Sequence, residues 1–85
     1  MKNVVILCGT DCVYCKKAKM LIRRAVEKNH KYRKIKLDYV FEDSPEGSKY
    51  SHSLIPAFFI DNTLYFEGNP DMQKVKSFLD EAQKF

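Results

Sequence analysis

Apolar residues fill every position from Val4 to Cys8 and stop at Gly9, the pattern of a short strand buried on both faces. From Cys12 to Lys28 the spacing changes. Ala18, Leu21, Ile22 and Ala25 recur at helical intervals, with Lys16, Lys17, Arg23 and Arg24 turned away from them. Cys15 heads that apolar stripe, which predicts a shielded Cys15 and an accessible Cys12 at the helix start. Arg33 to Tyr39 alternates, with Ile35, Leu37 and Tyr39 on one side and Lys34, Lys36 and Asp38 on the other, as a half-buried strand does. Ser44-Pro45-Glu46 has a capping serine followed by a proline suited to the first helical position, and predicts a short helix running to about His52. Ala57–Ile60 and Thr63–Glu67 read as two strands joined by Asp61-Asn62, residues that tolerate positive φ and suit a tight hairpin. Asn69-Pro70-Asp71 opens a last helix, with Asn69 as cap, Pro70 at the first position, and Met72, Val75, Phe78, Leu79 and Ala82 on its apolar face.

The predicted order is therefore β-α-β-α-β-β-α. A parallel βαβ unit followed by a hairpin and a closing helix predicts an α/β fold, a four-stranded mixed sheet with helices on both faces. No repeat, low-complexity segment or linker interrupts the 85 residues, so 1–85 is expected to be a single domain. Charge is unevenly spread: residues 1–36 hold eleven Lys/Arg against two acids, net +9, while 37–85 hold four against nine, net −5. Ten of the fifteen basic residues lie between Lys16 and Lys36, which raises a nucleic-acid or acidic-protein binding module as one reading. No aromatic stacking positions are interleaved with the charges, which favours a solvated helix face and no nucleic-acid partner.

The chemistry sits in Cys12-Val13-Tyr14-Cys15. Two cysteines three apart on a first helical turn have Cβ atoms roughly 5–6 Å apart, within reach of a disulfide after small local adjustment. A helix start also aims free N–H groups and the positive end of the helix dipole at the first sulfur, a favourable setting for negative charge. That makes Cys12 the nucleophile and Cys15 its partner. Half a zinc site looks the same, but beyond Cys8 only His30 and His52 could complete four ligands, and neither stands at ligand spacing; both are expected on the surface, and no metal is expected. Cys8, Cys12 and Cys15 also match the spacing of radical iron–sulfur enzymes, whose barrel 85 residues cannot build; a cluster shared between two chains is a further alternative. Cys8 itself reads as strand packing, with a regulatory disulfide to Cys12 as the sharper alternative. Three cysteines arranged this way do not form a secreted disulfide framework, and Val4 to Cys8 is too short for a signal-peptide core or a membrane span. A cytoplasmic protein with no membrane partner is expected.

Three motifs resemble the glutaredoxin family of the thioredoxin superfamily over nearly the whole chain: Asp11-Cys12-Val13-Tyr14-Cys15-Lys16-Lys17, Ile55-Pro56-Ala57-Phe58-Phe59-Ile60 and Gly68-Asn69-Pro70-Asp71-Met72. The resemblance implies the thioredoxin fold, a cis Ile55-Pro56 bond, and a monomeric thiol–disulfide oxidoreductase without a bound cofactor. In it Cys12 attacks a protein disulfide and Cys15 resolves the intermediate. Val13, Tyr14, Ile55, Pro56, Gly68, Asn69 and Asp71 would line the substrate groove, the Ile55 backbone docking the substrate as an added strand. Two departures bear on the electron source. Glutaredoxins usually carry Lys or Arg where this chain has Gly9, and Gly-Gly-x-Asp-Asp where it has Glu67-Gly68-Asn69-Pro70-Asp71. Glu67 adds an anion beside an anion site and Pro70 has no N–H to offer, so glutathione should bind poorly. Asp-Cys-Val-x-Cys and Pro-Asp-Met are more similar to the NrdH-type redoxins, glutaredoxin-like electron donors to ribonucleotide reductase. That similarity implies recharging by thioredoxin reductase and NADPH, with glutathione as the alternative.

Overall fold

The computed structural model describes residues 3–84. Its elements are β1 (Val4–Cys8), α1 (Val13–Lys28), β2 (Leu37–Phe41), β3 (Ala57–Ile60), β4 (Thr63–Glu67) and α2 (Met72–Ala82), with 3-10 turns at His30–Lys34 and Gly47–Lys49. The sheet order is β2-β1-β3-β4; β1 and β2 run parallel, and the other neighbours antiparallel. Central β1 is buried at all five positions, as its unbroken apolar run requires. Asp61 and Asn62 turn the β3–β4 hairpin with φ of 50° and 67°.

Both α-helices lie on one face of the sheet. Ala18, Leu21, Ile22 and Ala25 of α1 and Val75, Phe78, Leu79 and Ala82 of α2 form one core with Val4, Ile6, Cys8, Phe58 and Ile60. Phe58 stacks on Phe66 at 4.0 Å between centroids and meets the edge of Phe78 at 5.1 Å, tying the hairpin to α2. The opposite face, Val5, Leu7, Val40, Ala57 and Phe59, carries a smaller cluster.

Three local expectations are corrected. The segment after Ser44 forms only the 3-10 turn Gly47–Lys49, so among the described residues no α-helix covers the second face. Ser44 Oγ accepts from Gly47 N at 2.9 Å, but the cap position of the turn is Glu46, with no side-chain cap bond; the turn ends within three residues and Tyr50 supplies the cover, its ring 4.9 Å from that of Phe59. An open cleft of about 680 Å³ lined by Glu46, Lys49, Tyr50, Phe59 and Leu64 remains there. Second, the strand expected from Arg33 begins at Leu37 and runs on to Phe41. Residues 30–34 coil into a 3-10 turn that drives Tyr32 into the helix-side core, while Tyr39, on the edge strand β2 beside α1, stays 42% exposed under Lys19. Third, Asp71 and not Asn69 caps α2: its carboxylate accepts from Lys74 N at 2.8 Å, and Pro70 lies buried before the helix.

Candidate active site

Register gathers the site. Cys8 pairs with Phe41, Leu7 with Ala57, and Ala57 with Glu67, so the segments after β1, after β2, before β3 and after β4 all leave the sheet at the same end. Those segments carry Cys12, Glu42, Ile55-Pro56 and Gly68-Asn69. Cys12 is the N-cap of α1: its backbone is extended, and its Sγ accepts the Cys15 N–H at 3.2 Å. A donor aimed at that sulfur stabilises the negative charge it carries when it attacks or leaves. Cys12 is partly exposed, whereas Cys15, one turn on, is buried. Burial, reinforced by a hydrogen bond to the Cys12 sulfur, pushes the Cys15 thiol up to about 12. Cys8 lies beneath in the same core, and burial raises its thiol too.

Ile55-Pro56 is cis. Ile55 packs against the same core cluster as Cys12. Gly9 lies close to two side-chain ends: a Cβ there would crowd Ile55 Cδ1 and stand 3.1 Å from Glu42 Oε2, so a larger residue would have to displace those flexible tips. Gly68 adopts φ 92°, a conformation that favours glycine, and its N–H is spent on the Pro56 carbonyl at 2.9 Å. Asn69 accepts from Lys17 Nζ at 3.1 Å, and the Asp71 carboxylate is occupied by the α2 cap. Val13 is 74% exposed and Tyr14 47%, both beside Cys12.

Sequence reasoning missed the straps on the loop before Pro56. His52 is not a free surface residue: its Nδ1 meets the Tyr50 carbonyl at 3.0 Å and its Nε2 meets Glu42 Oε1 at 3.1 Å. Glu67 does not stand open beside an anion site. Its Oε1 accepts the N–H groups of Ser53 and Leu54 at 2.8 and 3.0 Å, which hold its carboxyl below the usual range. Leu54, 57% exposed, adds an apolar rim to the site. No periodicity signals the pairs of Glu42 with His52 and of Glu67 with Ser53 and Leu54, because their partners are ten or more residues apart and meet only through the sheet. Among the described residues, no group of three or more His, Cys, Asp or Glu is arranged to hold a metal ion.

A family model described as "Thioredoxin domain" matches residues 2–80. The chain belongs to the thioredoxin domain family. No curated protein matches it. The mixed four-stranded sheet and the paired cysteines at the head of α1 agree with that membership. Among the described residues, no helix of this thioredoxin-domain protein is long and apolar enough to cross a membrane.

Proposed function

We propose that the protein is a thiol–disulfide oxidoreductase that reduces protein disulfides through Cys12 and Cys15. The observation that carries this reading is the N-cap geometry, in which a partly exposed Cys12 sulfur receives the Cys15 N–H at 3.2 Å above a buried Cys15 thiol. The Cys12 thiolate bonds to one sulfur of the partner disulfide, and the other partner sulfur leaves as a thiolate. Cys15 then attacks Cys12 Sγ and displaces the second partner thiolate, which takes up the Cys15 proton. The partner gains two electrons and the protein keeps a Cys12–Cys15 disulfide, restored by an external dithiol system. Val13, Tyr14, Leu54 and the Ile55 backbone form the docking rim; Pro56 and Gly68 shape it, while Asn69 and Asp71 border it.

The finer assignment rests on the motif resemblance: a glutaredoxin-like redoxin of the NrdH type, cytoplasmic and monomeric, drawing electrons from thioredoxin reductase and NADPH, with ribonucleotide reductase as its disulfide substrate. A glutathione-dependent glutaredoxin is the alternative. The test is substitution of each cysteine followed by mass spectrometry with a model disulfide protein. Cys12→Ser should abolish reduction, and Cys15→Ser should accumulate a mixed disulfide on Cys12. Reduction that survives in Cys12→Ser would remove the assignment.

A further inference from the structure

Helix α1 carries Lys16, Lys17, Lys19, Arg23, Arg24 and Lys28 against one acid, Glu27. Among the described residues, none of these six cations has a carboxylate within ion-pair distance. Lys17 meets the Asn69 amide, and Lys19 lies over the Tyr39 ring, 5.1 Å from its centroid. Four of the nine acids of the other half of the chain are held elsewhere: Glu42 by His52, Glu67 by the Ser53 and Leu54 backbone, Asp80 by the Tyr32 hydroxyl, Asp71 by its own helix. Positive charge is therefore left locally uncompensated on the helix that begins at the reactive sulfur. Lys16, Arg23 and Arg24 are exposed and share one side of α1. At the head of that helix Val13 and Tyr14 are exposed beside Cys12, and Leu54, also exposed, stands next to Gly68 at the same end of the sheet.

We infer that the partners this protein reduces present their disulfide within a segment rich in Asp and Glu, an apolar residue beside the cystine resting on Val13, Tyr14 and Leu54 while its carboxylates face the cations of α1. The inference deepens the reading of Cys12 as the nucleophile and rests on it. A neutral partner would use the apolar rim alone and leave the charge without a role. A nucleic acid would be drawn by the same field, but it stacks successive bases on several open aromatic faces, whereas α1 carries a single ring, the exposed Tyr14 at the site, and Tyr39 has Lys19 over it. A cationic face steers an acidic partner by long-range attraction, which salt removes once the screening length falls to a few ångströms.

Two disulfide-cyclised peptides test this, identical in length and in the apolar residue beside the cystine, one flanked by Asp and Glu and the other by Asn and Gln. The readout is the second-order rate at which each oxidises the reduced protein. At low ionic strength the acidic peptide should react about tenfold faster, and in about 0.5 M salt the ratio should fall toward one. Lys16→Gln with Arg23→Gln and Arg24→Gln should bring the ratio toward one already at low salt. Equal rates, a ratio indifferent to salt, or a ratio kept by the triple variant would overturn the acidic-partner inference and leave the redox reading standing. Failure of both peptides to oxidise the wild-type protein would overturn the redox reading itself. A labelled single-stranded oligonucleotide that displaces the acidic peptide would reassign the surface to nucleic acid.

Discussion

At the scale of single residues, Cys8 and His52 make opposite points about burial. Cys8 is 3% exposed, and burial raises its thiol, so it serves as packing beneath Cys15. Cys8→Ala should keep disulfide reduction and lower stability by about 1 kcal/mol through a small cavity. Reductase assays beside urea melts check this, and lost activity at unchanged stability would give Cys8 a redox role. His52 is held by the Tyr50 carbonyl first and then by the Glu42 carboxylate, and both raise its pKa above the ordinary 6.5. A histidine that binds its proton more tightly when folded contributes fully below its unfolded pKa and loses that contribution as pH rises through the folded one. Thermal melts should therefore show His52→Gln further below wild type at about pH 5.5 than at about pH 8.5. A gap that is constant or widens with pH would remove the charge from the His52–Glu42 strap.

At the scale of elements, the 3-10 turn His30–Lys34 is tied to α2. Its Tyr32 enters the helix-side core at 5% exposure and donates its hydroxyl to Asp80 of α2 at 2.6 Å. Tyr32→Phe keeps the ring and removes only that hydrogen bond, so it should cost about 1.5–3 kcal/mol, the range for a bond to a charged acceptor. Urea unfolding should show the midpoint falling with an unchanged slope. A change below about 0.5 kcal/mol would make the contact a solvated one of little consequence. Glu67 acts between elements in the same way, joining the end of β4 to the loop before Pro56. Replacing it by Gln keeps an acceptor while removing the charge.

At the scale of the whole molecule, the proposed electron source is supported by how few donors remain free around the site. Gly9 supplies no cation and has Glu42 beside it, Pro70 has no N–H, the Gly68 N–H is used by Pro56, and Glu67 occupies the Ser53 and Leu54 N–H groups. A glutathione carboxylate would lose one or two charge-assisted bonds of about 1.5–3 kcal/mol each, one to several orders of magnitude in affinity. Reduction by thioredoxin reductase with NADPH should outpace reduction by millimolar glutathione in a coupled assay. Glu67→Gln, which leaves the loop anchored, should narrow the difference only modestly. Efficient glutathione turnover by the wild-type protein would return it to the glutathione-dependent glutaredoxins.

Local features were legible in the sequence where a short-range rule governs them unopposed, though not at Ser44 or Asn69. The unbroken run Val4–Cys8 dictates a central strand, Asp61-Asn62 a positive-φ hairpin, and the stripe from Cys15 to Ala25 a helix that buries Cys15 and leaves Cys12 at its cap. Tertiary structure decided what depends on competition between distant groups. Tyr32 won a core position and converted the expected start of β2 into a 3-10 turn; Tyr39 kept its strand phase but lost burial, because it stands on an edge strand where only the Lys19 side chain of α1 reaches over its ring. Asp71 displaced Asn69 as cap, since its carboxylate reaches the Lys74 N–H from an extended backbone. The roles of Glu42, His52 and Glu67 depend on the register that brings four chain segments to one end of the sheet. A carboxylate reads as a repelling charge in sequence; only its folded neighbours, here two backbone N–H groups, make it an anchor.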